Sequence, residues 1–474
     1  MRKKSRYIVG VLLLIALTLI IYNTTPHSDY GMKVMGVIGI VQLIYSIYSW
    51  AKITGAIITP YVIFLIAAYT FTFGQSILYV FGKVAPDRDL TNLFSAVSIM
   101  PALNLTLIFL NFFHIGGLLS CRSDSGYSQP FAPMSYMEEH YRQNQIIGVR
   151  KIGILFLCIS IIPYLIERVI LFSIVSTTGY SGLYTQDVKI GLSNITSILS
   201  QYFIPGVLCL LLVETSKLKK YVFITLLILE ACFWLYTGGR SNGVIIAAIL
   251  LMYFHICVKP IKLKQAIVIA VAGFFFISLL GVISKTRVDP NANIKEIMSD
   301  SFSNSNAFYS AVSEMGGSMY PMITTMELVP ARYDFKYGTS YLYAASSIIP
   351  NLGFWDLHPA MKYGNMNDWL QNAMNLSYGP GFSIVAEAYV NFGNWGFLMM
   401  LLLGYCFGLI FNFDIKSKRN PLLLVLSFIF CFLIIKTVRN SFLATVRSIF
   451  YYILPIYLFV VYYAKGKIIS HKNT

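Results

Sequence analysis

Residues 235–248 read LYTGGRSNGVIIAA: an apolar run stops, small and polar residues follow, and a second apolar run begins. The flanking apolar segments, 221–236 and 243–258, approach the length of a membrane-spanning helix. Lysine clusters, KLKK at 217–220 and KPIKLK at 259–264, lie at their two far ends. Because Lys and Arg favour the cytoplasmic side of a membrane, we expect a helical hairpin whose turn, 237–242, faces outward.

The composition of the whole chain indicates the same class of protein. Of its 474 residues, 57% are hydrophobic and only 12% are charged, whereas an ordinary globular domain is about 25% charged. The apolar runs are continuous, unlike the short alternating strands of a membrane β-barrel. We therefore expect an all-α, polytopic helical bundle, and we interpret the net charge of +16 as a topology signal rather than a nucleic-acid surface.

Twelve apolar segments are predicted to span the membrane. They are 7–22, 32–48, 59–81, 92–119, 152–175, 194–213, 221–236, 243–258, 265–283, 382–413, 421–438 and 448–464. With a cytoplasmic N-terminus, most of the 36 Lys and Arg residues fall in inner loops, and the C-terminus is cytoplasmic too. The chain then divides into helices at 1–283, one large outer loop at 284–380, and helices at 381–474.

The outer loop is rich in aromatic residues, so we expect it to fold against the membrane helices rather than to act as a linker. After it, the stretch NFGNWG at 391–396 interrupts a segment that is too long for one plain span. A half-helix at 382–390 entering from the outer face, followed by a span at 396–413, accounts for this interruption.

The seven cysteines are scattered, with no CxxC spacing, so the sequence supports neither a disulfide framework nor a metal site. We expect no cofactor. The sequence also lacks HExxH, Walker and GxSxG patterns, which leaves metalloprotease, NTPase and hydrolase functions unsupported.

Basic residues recur in three turns predicted to face outward. Arg240 lies in the first turn, where Gly238 and Gly239 are expected to end one helix and Ser241 or Asn242 to cap the next. The segment SKTR supplies Lys285 and Arg287, and KTVRNSFLATVR supplies Lys436, Arg439 and Arg447. Lys436 and Arg447 are eleven residues apart and would share a face if one helix persisted. Such cations can bind a phosphate-bearing ligand, or they can simply anchor the chain at lipid headgroups.

Two carboxylates and one histidine on the outer side are candidates for acid–base chemistry. Glu387 and Glu314 lie in apolar, small-residue contexts, where a carboxylate needs a partner or a raised pKa. For Glu387 the alternative is an ion pair with an arginine. His358 is the outer loop's histidine and can serve as a base, although a lone loop histidine is more often just solvated. Glu230, and Glu167 with Arg168, are expected to form pairs within the bundle.

Three stretches together resemble the Wzy family of O-antigen and capsule repeat-unit polymerases. They are YTGGRSNGVI (236–245), the outer-loop segment from SEMGGSMYP (313–321) to SSIIP (346–350), and GPGFSIVAEAYVNFGNWG (379–396). The resemblance covers about 180–413 and the overall number of spans.

This resemblance implies a glycosyltransferase of the bacterial inner membrane that works without a metal ion. It would move a growing glycan from undecaprenyl diphosphate onto the terminal sugar of a new lipid-linked repeat unit at the outer face. Arg240, Arg287, Arg439 or Arg447, with Lys285, would then neutralise the leaving diphosphate. Glu387 or Glu314, in preference to His358, would accept the proton of the attacking hydroxyl.

The implied partners are the undecaprenyl-diphosphate-linked oligosaccharide, membrane lipid, a chain-length regulator and a flippase, with no nucleic acid. Alternatives are an O-antigen ligase, which uses the same donor, and a lipid-linked oligosaccharide flippase or other transporter. A flippase should carry charges along a central cavity, whereas here charges concentrate at the outer face. A membrane scaffold would not need three outward arginine turns.

Overall fold

The computed structural model describes residues 2–121, 136–178, 194–237, 240–262, 264–265, 268–269, 273, 306–349, 351, 354–411 and 420–472. Regular structure in these residues is helical. The helices are α1 (Arg2–Thr24), α2 (Asp29–Thr54), α3 (Pro60–Phe81), α4 (Ala96–Ser120), α5 (Tyr136–Thr178), α6 (Asn194–Ser200), α7 (Phe203–Val213), α8 (Lys217–Thr237), α9 (Arg240–Tyr253), α10 (Asn306–Gly316), α11 (Tyr320–Leu328), α12 (Thr339–Ser346), α13 (Pro359–Gly364), α14 (Met366–Ala373), α15 (Ile384–Phe392), α16 (Gly396–Phe411), α17 (Pro421–Ile434), α18 (Phe442–Ser448) and α19 (Leu454–Lys472).

The predicted class, a polytopic helical membrane protein, is confirmed. Within the described ranges, nine helical segments are long and apolar enough to cross a membrane: Lys4–Thr24, Asp29–Thr54, Pro60–Phe81, Ala96–Ser120, Met137–Thr177, Thr196–Val213, Ile384–Phe411, Pro421–Arg439 and Phe442–Lys467. Asn242–Val258 is a shorter apolar helix. The predicted segment 221–236 coincides with α8, and 265–283 lies mostly outside the described residues.

The chain forms two compact units. The first comprises Met1–Ser128, Phe302–Asn412 and Leu433–Ser448, and the second comprises Gln129–Ser301, Phe413–Phe432 and Ile449–Thr474. In the first unit, α4 packs closely on α16 because glycines remove side chains from the contact. A Cβ at Gly116 would clash with the Leu401 carbonyl oxygen, and one at Gly404 would clash with the Phe113 carbonyl oxygen. Small residues permit such close backbone approach between membrane helices.

The described part of the long loop packs on the membrane helices of the first unit. A Cβ at Gly74 in α3 would come within 3.3 Å of the Gly316 Cα in α10, so the two helices meet at glycine. Next to it, the Gln75 side chain donates to the carbonyl oxygens of Ser313 (2.8 Å) and Arg88 (2.6 Å). The loop is therefore held as folded structure against α3, as its aromatic composition indicates.

The helix expected at 382–413 is interrupted within the predicted NFGNWG stretch. Helix α15 ends at Phe392, a 3₁₀ turn covers Gly393–Trp395, and α16 begins at Gly396. Gly393 has a φ of 55° and a ψ of −134°, a conformation that only glycine adopts readily. Whether α15 enters and leaves on one face of the membrane stays a prediction, as does the three-part division at 283 and 380.

In the second unit, a buried ion pair joins α5 to α8. Arg168 donates to both carboxylate oxygens of Glu230, at 3.1 Å and 2.7 Å. The same carboxylate accepts hydrogen bonds from Tyr164 and from the Trp234 indole. Glu167 lies 3.8 Å from Arg168. The prediction that these charges form pairs within the bundle is confirmed.

The two helices of the hairpin predicted around 235–248 are present as α8 and α9, with one correction. Helix α8 ends at Thr237 and α9 begins at Arg240, so Ser241 and Asn242 lie inside the first turn of α9 and not before it. The prediction that one of them caps the helix was therefore wrong. Gly238 and Gly239, predicted to end α8, lie outside the described residues.

Candidate active site

Glu387 lies at the centre of a buried hydrogen-bond network in the first unit. Helix α15 starts where the Ser383 hydroxyl accepts from the Ala386 N–H (3.1 Å), which places Glu387 in the first turn. Its carboxylate is fully buried. One oxygen accepts from the Ser340 hydroxyl (2.8 Å) and the other from the Phe442 N–H (2.6 Å). Burying a carboxylate is costly unless its oxygens are hydrogen-bonded, and here both oxygens are.

The second polar residue of α15, Asn391, extends this network by one helical turn. Its amide nitrogen donates to the Ser340 hydroxyl and to the Glu387 carbonyl oxygen, both at 2.8 Å. Its amide oxygen accepts from the Gly338 N–H (2.9 Å). Because Ser340 accepts from Asn391, its own hydrogen is directed to Glu387. These hydrogen bonds hold Gly338 and the start of α12 against α15.

Lys336 brings a positive charge to this network. Its backbone N–H donates to the Val390 carbonyl oxygen (2.9 Å), and its ammonium lies 5.5 Å from the centre of the Trp369 ring. Partial burial lowers the pKa of Lys336 below its usual value, and the Glu387 carboxylate acts in the opposite direction. The network therefore places a partly desolvated cation near a buried carboxylate.

Tyr341 packs beside this network through aromatic contacts. Its ring stacks on Phe392, with centroids 6.2 Å apart, and meets the edge of Phe442 at 5.1 Å. The Tyr341 hydroxyl is buried and has no hydrogen-bond partner within the described residues. Burial, together with the negative charge of Glu387, raises the pKa of this phenol well above its usual value. Aromatic packing and not hydrogen bonding thus holds Tyr341 in place.

The predicted arginine segment at 436–447 is broken where it meets Glu387. A 3₁₀ helix covers Ile435–Arg439, Asn440 is extended, and α18 starts at Phe442. The first N–H groups of a helix lack partners within it, and the Glu387 carboxylate satisfies that of Phe442. A single helix does not persist from Lys436 to Arg447, so the condition under which the two were expected to share a face is not met.

Arg439 and the helix that carries Glu314 contact neighbouring positions on α3. The exposed Arg439 guanidinium lies 5.5 Å from the centre of the Phe71 ring. One helical turn along α3, Gly74 and Gln75 contact α10, which carries the half-buried Glu314. Residues three and four apart on a helix lie on the same side. The same side of α3 therefore contacts the Arg439 side chain and the helix that carries Glu314, and Arg447 lies in the last turn of α18.

His358 has a structural role in the described loop. One ring nitrogen lies 2.8 Å from the Ile349 carbonyl oxygen, and the other accepts from the Ala360 N–H (3.0 Å) at the start of α13. A neutral imidazole has one donor and one acceptor nitrogen, so both are engaged. In this conformation neither nitrogen is free to accept a proton from a substrate.

The other three predicted cations belong to the second unit. Lys285 and Arg287 lie outside the described residues. Arg240 is the first residue of α9 in the second unit, and its side chain is not described.

Sequence reasoning missed four members of the network: Lys336, Ser340, Tyr341 and Asn391. Only Asn391 carried a readable signal, because it follows Glu387 by four residues in an otherwise apolar helix. The alternative expected for Glu387 was an ion pair with an arginine. Its hydrogen-bond partners are a serine hydroxyl and a backbone N–H instead.

A comparison with protein families gives a match over nearly the whole chain. The family model described as O-antigen polysaccharide polymerase Wzy matches residues 6–470. No curated protein matches the chain, and no solved structure matches it.

Proposed function

The chain belongs to the O-antigen polysaccharide polymerase Wzy family, and we propose that it transfers a growing glycan from undecaprenyl diphosphate onto a new lipid-linked repeat unit. The observation that carries this proposal is the family match over residues 6–470, which supports O-antigen polymerase function for the whole chain. The reaction takes place at the outer face of the cytoplasmic membrane, without a metal ion. The growing chain is the donor, and a hydroxyl of the new unit's terminal sugar is the nucleophile.

Contacts within the first unit support the proposed membrane topology. The Lys4 ammonium donates to the Cys121 carbonyl oxygen at 2.8 Å, and both residues belong to ends assigned to the cytoplasmic side. The Ser313 hydroxyl accepts from the Ala85 N–H at 3.0 Å, and both residues belong to segments assigned to the outer side. Segments given the same side by the charge pattern are therefore neighbours in space, which supports the proposed order of the first four spans; the assignment of the cytoplasmic side rests on the charge pattern.

Arg439 and Arg447 are the cations that we assign to the diphosphate in the first unit. Glycosyl transfer from a lipid diphosphate leaves negative charge on the departing oxygen, and a guanidinium can stabilise it through paired hydrogen bonds. Arg439 is exposed and is the last residue of the candidate span Pro421–Arg439, at the end of a membrane helix where a lipid-linked diphosphate would lie. Arg240, Lys285 and Arg287 remain candidate cations of the second unit, each to be tested separately.

Glu387 is proposed to position this arginine segment. Its bond to the Phe442 N–H fixes the end of the turn that begins at Arg439. A general base must reach the substrate hydroxyl directly or through one water molecule. The Glu387 carboxylate is fully buried with both oxygens bonded, which fits a positioning role better than a base.

Glu314 is the candidate base that the geometry favours. Its side chain is only half-buried, and its helix packs on α3 one turn from the Arg439 contact. Deprotonating the acceptor hydroxyl while Arg439 stabilises the leaving diphosphate requires a carboxylate and a cation near one another. His358 is the less favoured base, because both of its nitrogens are bonded.

A deletion strain tests the polymerase function directly. Loss of long glycan ladders, with one repeat unit still attached to the lipid acceptor, is the expected result. Loss of every attached repeat unit would point to a ligase or a flippase instead. Complementation with Arg240→Ala and Arg240→Lys then tests the hairpin arginine, and wild-type ladders from a normally expressed Arg240→Ala protein would remove it from the proposed diphosphate site.

A further inference from the structure

The described loop has an exposed apolar face around α12 and α13. Leu342, Ile349, Phe354 and Leu357 are 72%, 54%, 70% and 56% exposed, and Trp355 and Tyr363 are partly exposed. We call these six residues the apolar face. Exposed apolar side chains are usually scattered singly, whereas a group of them marks a contact with another apolar phase.

Specific contacts connect the segments that carry three of these residues, Ile349, Trp355 and Tyr363. His358 bonds the Ile349 carbonyl oxygen at 2.8 Å, and its ring lies 5.0 Å from that of Trp355. The Tyr363 ring lies 4.8 Å from Tyr343 in α12. The Asn351 side chain donates to the Trp355 carbonyl oxygen at 2.7 Å, which closes the turn that presents Phe354 and Trp355. Hydrogen bonds to backbone carbonyl oxygens therefore fix the conformation of the segment that carries these side chains.

The opposite side of α12 and α13 packs on the start of a membrane helix. Ala344 and Ala360 form a small buried core with Leu443, and Phe442 and Val446 pack against it. These three α18 residues are the first two turns of the candidate span Phe442–Lys467. A segment packed on the first turns of a candidate span is expected at the level where the bilayer ends, so the apolar face is expected within reach of the lipid headgroups.

We propose that the apolar face is an interfacial anchor that inserts into the lipid headgroup region of the bilayer. Tryptophan and tyrosine are enriched at this depth in membrane proteins, and the transfer of the aliphatic side chains of the face out of water is favourable in free energy. A sugar-binding surface would combine aromatic rings with polar groups, whereas Leu342, Ile349 and Leu357 offer carbohydrate no hydrogen bonds. Assignment to the outer leaflet rests on the proposed topology; insertion itself does not rest on the proposed reaction.

Such an anchor would fix the position of the hydrogen-bond network around Glu387 along the bilayer normal. Helix α12 carries Ser340 and Tyr341, and Lys336 lies directly before it. The headgroup region is also where the diphosphate of a lipid-linked substrate resides. The anchor would therefore hold the network at the depth of that diphosphate.

Tryptophan fluorescence of the full-length protein in nanodiscs tests the proposal. The chain has five tryptophans, so the Trp355 signal is obtained by subtracting the emission of a Trp355→Phe variant from that of the wild type. We expect this signal to be quenched strongly by a lipid with a nitroxide close to its headgroup, and weakly by acrylamide in the water. Strong acrylamide quenching with no response to the nitroxide lipid would overturn the proposal, whether the face then binds sugar or another protein.

A matched pair of variants provides a second measurement. Phe354→Asp with Leu357→Asp removes two apolar side chains whose transfer out of water favours insertion, so this double variant should reduce nitroxide quenching of Trp355 while helix content is retained. Tyr378→Asp, at an exposed aromatic residue outside the face (54% exposed), should leave it unchanged. Equal quenching in both variants would count against the anchor. Because no substrate is present, the result is independent of whether the protein polymerises glycan.

Discussion

The Glu387 carboxylate accepts a hydrogen bond from the Phe442 N–H at 2.6 Å and thereby joins α15 to the first residue of α18. The bond spans 55 residues of sequence and joins the candidate span Ile384–Phe411 to the span Phe442–Lys467, with the span Pro421–Arg439 between them in sequence. It also ends the turn that carries Arg439, the cation we assign to the diphosphate. If Glu387 has the proposed positioning role, the position of the exposed Arg439 depends on this buried carboxylate.

Two substitutions of Glu387 separate a positioning role from a catalytic one. Glu387→Ala leaves the Ser340 hydroxyl and the Phe442 N–H without their partner, at a cost of about 1–3 kcal/mol for each buried group. We expect a lower melting temperature and loss of ladders. Glu387→Gln keeps an acceptor for Phe442, so it should restore most of the stability and much of the ladder. A stable Glu387→Gln protein without any ladder would instead identify Glu387 as the base.

Arg439→Ala should abolish long ladders while single repeat units remain attached to the acceptor. The expected reason is loss of charge at the leaving diphosphate, so Arg439→Lys should retain part of the activity. Arg332→Ala is the matched control, because Arg332 is also exposed and also lies over a ring, with its guanidinium 5.7 Å from the Tyr333 centroid. Equal loss of ladders in the Arg332 and Arg439 variants would mean that bulk positive charge matters, and not a specific site.

Glu314→Gln should stop polymerisation without unfolding the protein, because it removes a proton acceptor while preserving side-chain shape. Glu327→Gln is the control: Glu327 is exposed on the next helix, α11, and lies outside the proposed site. Ladder length and protein abundance in membranes are the two measurements. Wild-type ladders from Glu314→Gln would exclude Glu314 as the base.

Much of the fold follows from the sequence, because membrane helices are specified by local composition. Continuous apolar runs and the glycine break at 393 can be read within a window of about twenty residues. That Glu230, Glu167 and Arg168 form pairs within the bundle could also be predicted, since charges within a span need partners, and the structure shows that Arg168 pairs with Glu230.

The site network was less readable, because its bonds join distant segments. Ser340 and Phe442 lie 47 and 55 residues from Glu387, and one sequence carries no signal for either contact. The break before α18 could not be predicted either, because the group that bonds Glu387 there is the backbone N–H of Phe442, which every non-proline residue carries. Lys336 resembles any loop lysine until its burial against Trp369 is known.

The stability of the protein should increase with alkaline pH through Lys336. Burial lowers its pKa in the folded protein, so between this value and the ordinary value of 10.5 the unfolded chain binds more protons. Stability therefore rises as pH increases through the folded-state pKa, and the gain is complete at the unfolded value. Lys336→Met should remove this rise. The test is the melting temperature of both proteins from neutral pH upward at one scan rate; an identical pH dependence would contradict it.

Replacing one member of the Arg168–Glu230 pair should destabilise the protein more than replacing both. Glu230→Met leaves the Arg168 guanidinium buried with its main partner gone, and breaking a buried pair costs about 3–5 kcal/mol. Arg168→Met leaves a buried carboxylate that retains only the Tyr164 and Trp234 bonds. Arg168→Met combined with Glu230→Met leaves neither charge, so its melting temperature should exceed that of each single variant. If the two losses simply add, the charges do not interact as the 2.7 Å contact requires.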